Sequence, residues 1–353
     1  MLNIHLNQIK NNLFLYEREK DGYEQNERVY ITKRYDFVFL NELEITETLN
    51  ASKIFCNYYD LMIDYKTLNL AECGGNFLNT LEYTSLKDKY VIASYLKSNL
   101  LDFSSFLYSI HNPRYFLSTL LETYRKLLEN LVHLSNLGIV FYNISAANIY
   151  YTFDGIPLLK NIEKCIVLKN LNETYFSQLL KSNDNFVSNP IEIHVLFFLL
   201  NNDIDKLNAD LIKMIVNHFV SSVKIFTFFS SDYRDNYVKD ATEFFSTFID
   251  KPKKYTIECI LSYAKTWDSY SISFLFTYIV ANVFKIFSLK GTFMGQFLSF
   301  LIKCLHPNPL KRETTENILY KYNELLYKNI DWSFVSKMDK KKLADLYTLL
   351  QSE

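Results

Sequence analysis

The chain has 353 residues, 49% hydrophobic and 16% aromatic with only 7 Gly and 6 Pro, which excludes a disordered or linker-like protein and allows one large or two ordinary domains with a sizeable core. Lys and Arg total 38 against 39 Asp and Glu, a formal net charge of -1, so no global field draws the chain to nucleic acid or to an anionic membrane. The 5 cysteines, Cys56, Cys73, Cys165, Cys259 and Cys304, are scattered without C-x-x-C spacing, which speaks against a disulfide framework or a cysteine-held metal and for thiols in a reducing compartment.

The start of the chain, "MLNIHLNQIKNNLFLYEREK", has no apolar run of signal-peptide length, so secretion is not expected. Four short alternating segments follow, "NLFLYERE", "ERVYITKRY", "YYDLMIDYKTLNL" and "DKYVIASYL", separated by the turn signals "KDGYEQN" and "AECGGN"; they predict strands. Among them "DFVFLNELEITETLN" spaces Phe37, Leu40, Leu43 and Leu49 as one face of a short helix.

From Leu101 the periods lengthen. "NPRYFLSTLLETYRKLLENLVHLSNLG" has Pro113 at its entrance and Gly138 at its end, a long amphipathic helix with both of its stop signals. Helical patterns return at 189–200, 206–219, 256–263, 270–287, 292–305 and 314–326. The most membrane-like run, Ser269 to Leu289, is interrupted by Ser, Thr, Asn and Lys and reads as a buried central helix rather than a span. The histidines, His5, His111, His133, His194, His218 and His306, show no paired metal-ligand spacing.

Between the long helix and the next apolar piece lies "GIVFYNISAANIYYTFDGIPLLKNIEKCI". "IVFYNISAANIYY" resembles the catalytic loop of protein kinases, H-R-D-L-x-x-x-N, with Asn143 at the position of the base and Asn148 at that of the metal-binding Asn. Asn161, Ile162 and Glu163 then occupy the D-F-G triplet. Further on, "SNPIEIHVLFFLL" resembles the A-P-E segment with Glu192, "TWDSYSISFLF" the start of the central helix with Asp268, and "CLHPNPLKRETTENIL" the last landmark with Arg312. In the N-terminal part Lys33 of "VYITKRY" resembles the ATP-contacting Lys and Glu42 of "FLNELEI" its helix partner, with Glu44 competing for that role.

The resemblance implies an α+β, bilobal protein-kinase-like fold: a strand-rich N-lobe over residues 1–97, a helical C-lobe over 98–336 with a helical insertion at about 201–265, and a tail over 337–353. The insertion follows from the long separation of Glu192 and Asp268. Its segments "LIKMIVNHFV" and "TIECILSYA" carry apolar stripes and should resist limited proteolysis, whereas "SSDYRDN" and "DKPKK" are the stretches expected to be less protected. The "PIE" and "WD" strings resemble those of divergent kinase-like proteins of large DNA viruses, and the excess of Asn, Lys, Ile, Tyr and Phe resembles that of proteins from AT-rich genomes such as those of some protozoa and large DNA viruses.

The chemistry of the family is depleted here. An Asn at 143 keeps the shape of Asp and cannot accept a proton, which by itself costs on the order of 10²- to 10⁴-fold in rate. An Asn at 161 is a poor Mg²⁺ ligand, although Glu163 offers a substitute carboxylate. No G-x-G-x-x-G occurs, and the cradle at Asp21 to Asn26 contains only Gly22, so backbone N–H groups lack the close approach to phosphates that glycines allow. The expected function is that of a catalytically impaired pseudokinase, a binding or structural module with a protein partner, without nucleic acid, membrane span or required cofactor. One alternative is an active, divergent Ser/Thr protein kinase using ATP and Mg²⁺ through Lys33, Asn148 and Glu163. Another is a kinase-fold subunit of a larger assembly such as a virion. The expected location is intracellular, in the cytoplasm of the host cell if the protein is viral, with the virion as the alternative. Glu192, Asp268 and Arg312 are structural residues in the family.

Overall fold

The strand-forming segments "RVYITKR" and "YVIASYL" build the centre of a five-stranded antiparallel sheet, the second of them buried at nearly every position. The computed structural model describes residues 7–9, 13–15, 28–52, 58–68, 89–96, 99–182, 188–285 and 287–329, and divides into two compact units, Met1–Leu100 with Thr152–Lys164 and Leu101–Tyr151 with Cys165–Glu353. The turn signals at 20–26 and 71–76, the cradle at 21–26, His5, Cys56, Cys73 and the tail at 337–353 lie outside the described residues.

In the first unit the strands are β1 (Asn7–Ile9), β2 (Leu13–Leu15), β3 (Arg28–Arg34), β4 (Met62–Leu68) and β5 (Tyr90–Leu96), in the order β1-β2-β3-β5-β4. Their register pairs Lys33 with Val91 and Met62 with Tyr95, with an irregularity between Met62 and Asp64. Helix α1 (Phe37–Ala51) starts at Asp36, whose carboxylate accepts hydrogen bonds from the Val38 and Phe39 amides, so two otherwise orphaned donors are satisfied. Phe39, Met62, Val91, Ala93 and Tyr95 form the core, with Ile31 and Leu43 against it; burial of Phe39, Met62 and Val91 contributes about 1.5–3 kcal/mol each.

The buried stripe of α1 differs from the one the apolar spacing predicts. Phe39, Asn41, Glu42, Ile45, Thr46 and Leu49 face inward, while Leu40 is 44% exposed. The reason is polar: Asn41 and Glu42 have bonding partners inside the unit, so the helix turns them inward at the expense of Leu40. The segment Thr152–Lys164 joins this unit through Leu159, whose N–H donates to the Tyr58 carbonyl at 2.9 Å and whose carbonyl accepts from Asp60 at 3.2 Å. A Lys160–Asp60 ion pair at 2.9 Å lies beside these bonds.

In the second unit, short strands β6 (Leu101–Asp102) and β8 (Ile149–Tyr151) pair with each other, and β7 (Ile139–Val140) pairs with β9 (Ile166–Val167). Among the described residues, helices α2 (Phe103–Tyr108), α3 (Pro113–Asn136), α4 (Glu173–Lys181), α5 (Ile191–Asn201), α6 (Ala209–Ser222), α7 (Ser231–Ser246), α8 (Lys253–Leu261), α9 (Trp267–Val283), α10 (Phe293–Cys304) and α11 (Thr315–Asn329) make up the rest of its regular structure apart from short 3₁₀ turns. The start of α3 is as the sequence predicts, with Asn112 accepting from the Arg114 and Tyr115 amides; beyond its end, Gly138 adopts φ 73.

Helix α9 is buried almost throughout, including Asp268, Ser269, Ser271, Ser273 and Thr277. No helix among the described residues is long and apolar enough to cross a membrane. The largely exposed stretch "SSDYRDN" opens helix α7, where Ser230 caps the Tyr233 amide at 3.3 Å. The charges of that stretch occupy the outer face of two helical turns, and the inward stripe begins only at Tyr237, continuing through Ala241, Phe244 and Phe245. A window of seven residues therefore contains the polar face with almost none of the buried one. Phe219 and Phe226 pack on the Tyr237 ring at 6.1 and 4.8 Å between centroids, so the span 201–265 has an aromatic core of its own.

Candidate functional site

The residues singled out in the sequence assemble into one group in the first unit and two in the second. In the first, β3 carries Lys33 and α1 carries Glu42. The Lys33 ammonium donates to Glu42 Oε2 at 2.5 Å. The other carboxylate oxygen, Oε1, accepts from the Tyr95 hydroxyl at 2.5 Å. Lys33 Nζ also lies 5.1 Å from the Tyr95 ring centroid, within cation–π range. Both oxygens of a buried carboxylate are thus occupied, which is the condition under which such a charge is tolerated. Glu42, not Glu44, is the partner of Lys33.

The turn Ile162–Lys164 packs against α1 in the same unit, and the Asn41 amide donates to the Glu163 carbonyl at 2.9 Å. Asn161 is exposed and adopts φ 63, a left-handed conformation that Asn tolerates better than most residues. Burial pushes the Glu163 carboxyl above its ordinary range, Lys33 draws it down and Glu42 adds to the rise. Burial and the Glu42 charge push the Tyr95 phenol far above its usual value. Glu42 is the carboxylate that bonds the Lys33 ammonium, and the Glu163 carboxyl feels both charges nearby. Among the described residues no group of three or more His, Cys, Asp or Glu is placed to hold a metal ion.

In the second unit the turn after β7 contains Phe141, Tyr142 and Asn143. Tyr142 adopts φ 52, a costly conformation for a bulky residue. Asp268, in the first turn of α9, holds it: its carboxylate accepts from the Phe141 amide at 3.1 Å and from the Tyr142 amide at 2.6 Å. Ser271 donates to the Tyr142 carbonyl at 2.8 Å. Burial raises the Asp268 carboxyl to about 7, against the pull of those two amide donors.

Asn143 and Asn148 are closed into the same turn. The Asn148 amide nitrogen donates to the Asn143 carbonyl at 2.7 Å, and its oxygen accepts from the Ser145 amide at 2.9 Å. The Asn143 side-chain oxygen accepts from the Ser188 hydroxyl at 3.3 Å. From Phe141 to Tyr151 the chain has no carboxylate. The turn can present amides, hydroxyls and backbone groups, and it cannot itself accept a proton as a carboxylate would.

Glu192, in the first turn of α5, is ion-paired with Arg312, and neither side chain is exposed. The Arg312 guanidinium lies over the Tyr270 ring, 5.4 Å from its centroid. Burial raises the Glu192 carboxyl while Arg312 opposes the rise. His306 bonds Asp240 through Nε2 at 3.4 Å and accepts from the Asn308 amide through Nδ1 at 3.0 Å; Cys304 nearby in sequence is buried.

Tyr95, Asn41, Ser188 and Ser271 complete these groups and were not singled out in the sequence. Tyr95 sits in an alternating strand whose register with α1 no local pattern specifies, and the three others are small polar residues within apolar runs. A family-model comparison of the chain returned no match, and no curated protein is significantly similar to it.

Proposed function

We propose that the chain is a divergent member of the protein-kinase-like superfamily in which phosphoryl transfer is lost or residual, and which acts as a pseudokinase, a binding or structural module. What supports this reading is the order of its landmarks together with the geometry within each unit: the Lys33–Glu42 pair, Asp268 on the Tyr142 turn, and the Glu192–Arg312 pair. The observation that carries it is the turn itself. Asn143 stands at the position of the base, and Asn148 spends both ends of its amide closing that turn. Phosphoryl transfer needs little from a protein beyond positioning, charge stabilisation and an acceptor for the hydroxyl proton, and here the acceptor is replaced by an amide.

The test is radiolabel transfer from ATP-Mg²⁺ to the chain itself and to generic acceptors, measured for the natural protein, Asn161→Asp and Glu163→Ala. Background transfer in all three is the expected outcome. Robust turnover by the natural protein that disappears in Glu163→Ala would replace the proposal with an active kinase whose metal site uses Glu163.

A further inference from the structure

Helices α10 and α11 enclose an open groove of about 760 Å³ in the second unit. One end is built by the turn Leu289–Thr292. Thr292 bonds the Leu289 carbonyl through both its amide and its hydroxyl, at 3.1 and 2.7 Å, and the same hydroxyl accepts from Gly295 at 3.1 Å. Gly295 is required there, because a Cβ at that position would fall 2.1 Å from the Leu289 carbonyl oxygen. The walls combine half-buried Leu289, Phe300 and Leu325 with the exposed lysines Lys290, Lys303 and Lys321.

The state of those lysines decides what fits. Lys321 is paired with Glu313 at 2.5 Å. Lys290 and Lys303 have no ion-pair partner among the described residues. The single acidic residue of the lining, Glu324, accepts from the exposed Tyr320 hydroxyl at 3.4 Å. An overall charge of -1 makes this a local positive patch on a neutral molecule rather than part of a general basic field. We infer that the α10–α11 groove is a docking site for an acidic peptide segment of a protein partner, with carboxylates against Lys290 and Lys303 and an apolar side chain between Leu289, Phe300 and Leu325.

A polyanion is the poorer occupant. Nucleic acid and anionic lipid offer repeated charge and call for a continuous basic track, whereas this groove alternates two free cations with an apolar floor and a glutamate. Complementary rim charge around an apolar anchor is the arrangement by which protein interfaces set on-rate and specificity. The site uses none of the residues on which the pseudokinase proposal rests, so the two stand or fall separately.

The experiment uses the full chain and fluorescence anisotropy with a labelled acidic peptide carrying one leucine and one phenylalanine among glutamates. Control peptides replace the glutamates by lysines, or the two apolar residues by serines. The expected result is saturable binding of the first peptide, weaker binding of the serine version and none of the lysine version. The Lys290→Glu, Lys303→Glu double variant should weaken it at least about tenfold, and Leu325→Ser should erase the difference between the leucine/phenylalanine and serine peptides. Both changes lie at exposed or half-buried positions, and an unchanged thermal unfolding curve verifies the fold. Equal binding by the variants, no binding by the natural chain, or tighter lysine-dependent binding of a uridine oligonucleotide or of phosphatidylserine vesicles would each overturn the inference.

Discussion

The two units each hold an acid–base pair of the same chemical kind, and they differ in access to water. The Arg312–Glu192 pair is 0% exposed at both side chains, whereas Lys33 keeps 23% of its side-chain surface beside a Glu42 that keeps 3%. A pair with no access cannot exchange partners and serves only to fix α5 against the chain around Arg312. A pair open at its cation can still receive an external anionic group. The first is sealed from solvent on both sides; the second is open to it at the ammonium.

That contrast is broken most directly at the closed pair. Glu192→Ala should cost about 3–5 kcal/mol in denaturant unfolding, because a buried guanidinium is left without its counter-ion; the double change Glu192→Leu, Arg312→Met should recover most of the loss. A single variant within about 1 kcal/mol of the natural chain would make the closed pair as dispensable as a surface one.

Next in size is Asp268→Ala, which orphans two buried amides and should cost about 2–3 kcal/mol. The same residue sets a pH dependence. Its folded carboxyl titrates near 7, raised from 3.8 by burial, so the folded state holds that proton more tightly than the unfolded chain. Its contribution to stability is fully present below about pH 4 and is lost as pH rises through 7. Asp268→Asn should flatten that part of the stability–pH curve, and an unchanged slope would assign it to other groups.

At the open pair, Tyr95→Phe removes the hydroxyl from Glu42 Oε1 and should cost about 1–2 kcal/mol, less than either change in the second unit. The smallest effect is expected at Asp240→Asn, within about 0.5 kcal/mol as for other exposed pairs. Burial already lowers His306 and Asp240 opposes that shift, so an NMR titration should show the imidazole titrating at still lower pH in this variant.

The sequence displays some of this arrangement openly. The ends of α3 are written in Asn112, Pro113 and Gly138, and the burial of α9 is foreshadowed by an apolar run interrupted mostly by hydroxyls. The face of α1 was illegible, since its inward side is chosen by Asn41 and Glu42 finding partners far away in sequence, and apolar spacing counts those residues as outward. Helix α7 was hidden for the opposite reason, with its polar face crowded into the first turns. In the candidate sites the ionisable residues announced themselves, while Tyr95 and Ser271 depend on strand register and helix rotation, which short windows of sequence do not contain. The α10–α11 groove has no linear signature at all, because its lysines come from a turn and two helices.

The hold of Asp268 on the Phe141 and Tyr142 amides has a dynamic consequence. These two N–H groups donate to a side chain rather than to a helix or sheet ladder, yet both residues and their acceptor are buried. Local fraying of a neighbouring element cannot free them; they are released only when the start of α9 leaves the turn. In hydrogen exchange they should belong to the slowest class in the chain, alongside the amides of α9 itself. A loop of irregular backbone would thereby share the opening free energy of the most deeply packed helix, and its left-handed tyrosine would be kept in place by cooperativity rather than by local preference.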